Sequence, residues 1–475
     1  MALIIVFAVL VALLWGAIAF RRFTPVGVAV ATVAIGYVLG YEFWHLHLGP
    51  LPLTVDRLLL GVLVAALAMF AWQRKLVHWT PLTVDWAIFT LLGWLTVSCV
   101  LANVGSDADL PVSPFFRLLF SFWTPTLLYL AVRIAPPSTR TTTYVLAAFA
   151  ALGTYLAVTA CAEITQQWWA VFPKYITDPE LGTHFGRARG PALNSVSLGN
   201  YLCLCFWATW TLRPRVRRSL QLVLLGCMGL MVLGILFTYT RSVWMGFALS
   251  AFVMLIAHTP REYRWPVAIG SSVCGALLLM VAWSFVLYLN REDSGSVSEH
   301  SVEQRTSFAY VSWKMWCDEP LAGVGFGRFF DKKLPYLSDR HQSFELESIR
   351  NLHHHNTFLG LVVETGLAGL AAYLAMLVGW IWIGYRMTFD ESNSPAMRQM
   401  GRLLLAVLCV YLPSALFHDL THIFQDQTFL FLIAGLALAV AEQHSPVAQP
   451  ATMPNRVGFS SFTTTSHSKT GFHAP

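Results

Sequence analysis

Residues 219–258 read SLQLVLLGCMGLMVLGILFTYTRSVWMGFALSAFVMLIAH, a stretch whose only Asp, Glu, Lys or Arg is Arg241. A helix needs about 20 apolar residues to cross about 30 Å of hydrocarbon. The stretch therefore holds two spans, near 219–239 and 242–258, with almost no loop between them. Similar runs lie near 2–20, 25–44, 56–72, 84–102, 116–134, 143–163, 195–212, 265–289, 356–384, 402–418 and 427–442. The predicted fold is all-α, a polytopic transmembrane helix bundle of about 12–13 spans.

Composition agrees. Of 475 residues, 56% are hydrophobic and 12% charged, where a soluble domain is about 25% charged. The surrounding partner is thus a lipid bilayer. The net charge of +6 comes from scattered Arg without a basic–aromatic module, which argues against nucleic acid. The eight cysteines form no CxxC pair. Seven lie in apolar runs and Cys317 in a long loop, so no disulfide framework is expected. Residues 1–20 read as a span, not a signal peptide, because Arg21-Arg22 follow the apolar run instead of preceding it.

Alternate short loops carry the basic residues: Arg21-Arg22, Arg74-Lys75, Arg133 with Arg140, Arg213 to Arg218, Arg261 with Arg264, and Arg386 with Arg398 and Arg402. By the Lys/Arg bias these loops are cytoplasmic. The loops near 164–194 and 290–355 then lie outside the cytoplasm. Both exceed ordinary connections and are expected to be functional. Arg305, Phe308, Ser312, Met315 and Trp316 follow a helical period, so the second loop is predicted to be a partly helical, packed cap. Residues 1–442 are expected to form a single transmembrane domain, and the Ser-, Thr-, Pro- and His-rich residues 443–475 a disordered cytoplasmic tail.

Five segments carry chemistry-bearing residues. Gly186-Arg187-Ala188-Arg189-Gly190 precedes a span and reads as an anion-binding turn or a solvated basic one. Thr240-Arg241-Ser242 sits between apolar runs, where Arg is costly unless it snorkels or finds a partner. Arg305 leads to Gly323-Val324-Gly325-Phe326-Gly327, a turn or an anion nest. His353-His354-His355-Asn356 opens a span that continues through Glu364-Thr365-Gly366-Leu367-Ala368-Gly369. An imidazole with a pKa near 6.5 there suits a general base, and a continuous helix would put Glu364 on the opposite side from His355, against a neighbouring helix. His418-Asp419-Leu420-Thr421-His422 has the spacing of a zinc-protease motif with Asp for Glu, both His on one helix face. It lacks a third ligand, so a hydrogen-bonding rim is the stronger reading. No metal or cofactor is expected.

In this order, the segments resemble the O-antigen ligase and polymerase superfamily of bacterial membrane glycosyltransferases. The likeness runs from about Arg187 to Leu370. His355-Asn356 with Glu364-x-Gly366-x-x-Gly369 is its most specific part, and Arg305 through Trp313 to Gly323-x-Gly325-x-Gly327 comes next. Ser242 departs from the Gly more usual after the Arg. The resemblance implies transfer of a glycan from a polyprenyl-pyrophosphate carrier to an acceptor hydroxyl, on lipid A core or another glycan, lipid or protein, at the periplasmic face of the inner membrane. It implies Arg241 and Arg189, with Arg187 in reserve, on the pyrophosphate; Arg305 supporting charge or positioning the donor; and His355 as the base or acceptor-orienting group for inverting displacement. Asn356, Asp419 and His422 would line the site, with Glu364, Gly366, Gly369, Gly323, Gly325 and Gly327 behind it. A repeat-unit polymerase and a protein O-oligosaccharyltransferase break the same bond. A secondary transporter, the alternative of another class, would carry paired broken helices in repeated halves.

Overall fold

A computed structural model describes residues 24–48, 51–77, 79–106, 110–288, 297–339 and 344–444. The helices are α1 (Pro25–Val38), α2 (Val55–Trp72), α3 (Thr83–Asn103), α4 (Pro114–Ile134), α5 (Thr139–Ile164), α6 (Ser195–Leu212), α7 (Arg218–Phe237), α8 (Arg241–His258), α9 (Arg264–Tyr288), α10 (Val297–Asp318), α11 (Thr357–Phe389), α12 (Pro395–Phe417) and α13 (Phe424–Gln443). Among the described residues nine helices, α2–α5, α7, α8 and α11–α13, are long and apolar enough to cross a membrane. The all-α polytopic bundle stands. The span expected at 2–20 and the tail from 445 lie outside the described residues.

One expected span is shorter than the sequence suggested. The helix predicted for 25–44 ends at Val38, about 21 Å at 1.5 Å per residue. The chain then makes a turn and an antiparallel hairpin, His45–Leu48 with Leu51–Thr54. The alternation in HLHL-GP-LPLT is a strand signal that the apolar-run reading passed over.

Helix α13 forms the axis of the bundle. It is apolar all round and every residue from Asp426 to Val440 is buried, as expected of a helix surrounded by others. At Gly435 it meets α4 so closely that a Cβ would lie 2.8 Å from the Tyr129 carbonyl oxygen.

The basic loops gather at one end. There Arg133 bonds Asp85 of α3 at 2.9 Å and also pairs with Glu442 of α13. Gln443 donates to the Pro137 carbonyl, and Arg215 to Gln399. The two long loops sit at the opposite end. The second is a packed cap, its core made by Phe308, Val311 and Met315 of α10 with Phe329, Leu337, Leu346, Ile349 and Val363.

Candidate active site

The site begins where a helix breaks. Gly366 in α11 has φ +66° and ψ −169°, a conformation open to glycine and strained for other residues. The helix is therefore interrupted two residues past Glu364. The amides and carbonyls released by the break are taken up by the cap. Leu367 N donates to Pro320 O and Ala368 N to Leu321 O, while Val324 N and Gly325 N donate to the carbonyls of Val363 and Glu364. Such pairing is what lets irregular backbone persist at membrane depth. Gly323 (φ +71°) is wedged here, its Cβ position 2.5 Å from the Val363 oxygen. The glycine run is thus a docking turn: the Phe326 amide donates to Ser98 Oγ, and Asn103 Nδ2 donates to the Phe326 carbonyl. Gly325 and Gly327 also hold positive φ, against Ala102 and Pro114, and Gly369 lies against Thr365.

Beneath this turn is a buried polar cluster. Arg117 of α4 grips both Glu364 oxygens, at 3.0 and 2.9 Å, donates to Thr421 Oγ1 at 3.0 and 2.7 Å, and stands 3.8 Å from Asp419. Its guanidinium lies 4.7 Å from the centroid of the Phe326 ring. A π-helical turn at Leu119–Trp123 helps to aim this face of α4. Pro125, four residues beyond Ser121, has no N–H to bond the Ser121 carbonyl, and Ser121 Oγ donates to Thr421 O at 2.6 Å.

The three adjacent histidines diverge because the chain is not helical there; α11 starts at Thr357. Asn356 caps it, its Oδ1 accepting from the amides of Phe358 and Leu359, both at 2.9 Å, and its Nδ2 donating to Leu416 O. His354 is buried, bonded to Ser312 Oγ at 3.0 Å and packed on Phe329. His353 packs on Phe330 and His422. His355 alone of the three is exposed.

Around His355 the two long loops and the helix ends converge. Arg305 of α10 and Arg241 at the first turn of α8 are also exposed. The Arg241 charge adds to desolvation in lowering the Arg305 pKa. Desolvation lowers that of His355, assisted by Arg305 and opposed by Asp419. The imidazole, with its pKa lowered, favours the neutral form at pH 7 beside the Arg305 cation. His418 Nε2 bonds Ser242 Oγ at 3.1 Å, so the serine that departs from the family pattern acquires a partner. His184 bonds Ser195 Oγ at 2.9 Å, and Thr240 donates to the same oxygen at 3.2 Å.

A family model described as O-Antigen ligase matches residues 226–374. That stretch is an O-antigen ligase domain by this match. The matched segment contains Arg241, Arg305, His355, Glu364 and the glycines of the break, and the nine apolar helices mark a multi-pass membrane protein. No curated protein matches the chain.

Two expectations from the sequence are corrected. Arg189 does not face the open site: it is 1% exposed, and its guanidinium donates to the carbonyls of Leu181, Asp178 and Ile176 within its own loop. The backbone amides of Arg189 and Gly190 donate to Glu163. Arg189 therefore braces the loop, while Arg187, less buried, lines a cavity of about 380 Å³ with Glu163, Trp168 and Phe185. The His418–His422 segment is a turn between α12 and α13, so its histidines share no helix face. His418 reaches Ser242, and His422 lies 3.8 Å from the buried Asp419. Among the described residues no group of three His, Cys, Asp or Glu is placed to hold a metal ion.

The sequence reading missed Arg117, His184, Ser195 and Ser312. Arg117 had a signal: a lone Arg inside an apolar span needs a buried partner or a path to water. The others had none.

Proposed function

We propose that this O-antigen ligase domain moves a preassembled glycan from a polyprenyl-pyrophosphate carrier to an acceptor hydroxyl, at the periplasmic end of the bundle in the bacterial inner membrane. The observation that carries the reading is the exposed series of His355, Arg305 and Arg241, a neutral imidazole within electrostatic reach of Arg305, whose guanidinium in turn feels Arg241.

Each group has a task that its state suits. Neutral His355 takes the proton of the acceptor hydroxyl as that oxygen attacks the anomeric carbon. The bond from that carbon to the pyrophosphate oxygen breaks, inverting the centre, and the electron pair leaves with the pyrophosphate. Arg241 and Arg305 neutralise the charge that develops there, so the proposal calls on no metal. Arg187 is the loop guanidinium assigned to the far phosphate, and Arg189 holds that loop. Asn356 acts by starting α11 immediately after His355. Asp419 and His422 form the inner rim, and Arg117 with Glu364 fixes the rim to the broken helix. The matched segment packs along α3 and α12, which supports treating the bundle and its loops as one domain. The single break in α11 is filled by backbone of the cap, unlike a transporter's break, which lines a substrate path.

The test is reconstitution. Purified protein, polyprenyl-pyrophosphate glycan and, in turn, lipid A core, a second lipid-linked glycan and a Ser/Thr protein are incubated with EDTA. Product of inverted configuration with one acceptor is the expected outcome, and the productive acceptor names the enzyme. Glycan flux into sealed vesicles without any product would overturn the reading.

A further inference from the structure

Helix α10 has two faces. Phe308, Ser312 and Met315 are buried toward His354 and Phe329. The other face carries Trp313, 62% exposed on a helix outside the nine membrane-crossing candidates. Trp313 lines a groove of about 1110 Å³ between α10 and residues 335–339.

The polar edge of the groove is fixed by its own phenols. Tyr336 donates to Asp318 at 2.5 Å. Asp339 accepts from Tyr310 at 2.6 Å and from Lys314 at 2.8 Å. Two carboxylates against one ammonium make the groove unsuited to phosphate. An aromatic plate bordered by anchored carboxylates instead matches a pyranose ring: its C–H face packs on the indole, and its hydroxyls donate to the carboxylate oxygens. Large rigid rings with polar neighbours supply such contact at little entropic cost.

We propose that this groove is a glycan subsite, holding sugars of the donor chain that lie beyond the one attached to pyrophosphate. The assignment to the donor rests on the transfer reading above, because α10 also carries Arg305. Trp313 and Asp318 stand roughly 12 and 20 Å along the helix from that Arg. The first sugar falls short of the groove and a longer chain reaches it.

Cys317 lines the same groove and is exposed, which gives a readout without turnover. In full-length protein carrying Cys274→Ser, the maleimide labelling rate of Cys317 is measured with glycan released by mild acid from the host's polyprenyl donor. A several-fold slowing, lost in Trp313→Ala, is expected. Equal rates with and without glycan would overturn the subsite, and protection by acceptor oligosaccharide alone would overturn its assignment to the donor. In transfer assays, Trp313→Ala and Asp318→Asn should lower the ratio of long-donor to single-sugar-donor kcat/KM about tenfold; an unchanged ratio counts against the proposal. Absence of transfer with every donor in the parent protein would strike the transfer reading alone, since labelling still decides the groove.

Discussion

The guanidinium of Arg117 and the carboxylate of Glu364 meet through two hydrogen bonds of 3.0 and 2.9 Å, both side chains buried. The pair joins α4 to the helix that breaks two residues later, and through Thr421 to the turn before α13. Removing one member leaves the other charge buried, at a cost of about 3–5 kcal/mol. Arg117→Leu should therefore lower the detergent-state melting temperature sharply, and Glu364→Leu should do the same. The double variant should recover part of that loss, because neither charge is then stranded; equal losses in singles and double would deny the coupling.

His355 is expected to be required for turnover and dispensable for folding. His355→Ala should lower kcat by about 10²- to 10⁴-fold, the usual contribution of a general base, with membrane insertion and melting temperature retained. Wild-type transfer by that variant would remove His355 from the chemistry.

Arg241→Lys keeps the charge and loses the planar fork. A drop in kcat/KM of about tenfold or more is expected, with donor and acceptor chosen from the reconstitution above. Unchanged kinetics would make Arg241 an interfacial anchor.

Acid should switch transfer off. A base must be neutral, and desolvation together with Arg305 holds His355 below the ordinary value of 6.5. Activity is then full above that value and falls as pH drops through the lowered pKa, giving an acid limb centred below 6.5. Arg305→Gln removes a neighbouring cation, favours the imidazolium and should move the limb to higher pH. Stability follows the same sign. His353 and His354 titrate at about 4 and about 3 in the folded protein, so the unfolded chain binds protons first. Their contribution is present above about 6.5 and is lost as pH falls from there toward about 4 for His353 and about 3 for His354. Melting temperature against pH, compared with His354→Gln, measures it.

Gly366→Ala should fail to accumulate as folded protein. The residue has φ +66°, and a Cβ would lie 2.1 Å from the Leu321 carbonyl oxygen. That contact is with backbone, which cannot rotate aside. Gly369→Ala would put its Cβ 2.0 Å from Thr365 Oγ1 and 2.6 Å from Thr365 Cβ, a contact that side-chain rotation cannot relieve, and is expected to lower the melting temperature in detergent as well.

The fold was legible because apolar run length is a local property, and lipid imposes it strongly. The ends of the spans were less clear: the helix read from 402 begins at Pro395, the one read to 384 runs to Phe389, and at Val38 a short strand pair replaced the last turns of helix. The cluster of Arg241, Arg305 and His355 was found through residue type and loop side. Its details were hidden because they depend on where side chains turn. Arg189 and Arg187 are two residues apart and equally basic, yet loop carbonyls took one of them. Ser242 and His418 are far apart in sequence, and nothing local announces their bond. Gly323 and Gly366 were both visible, but that one fills the gap made by the other is a fact of three dimensions.

That interlock has a mechanical meaning. The backbone bonds between residues 320–325 and 363–368 cannot part without exposing amides and carbonyls at membrane depth, where each bare group costs several kcal/mol. The root of the cap is consequently no hinge. Under the proposed transfer, the motion that admits a lipid-borne chain and releases its product has to come from side chains at the mouth or from helices sliding past a fixed post, with His355 set just above that post.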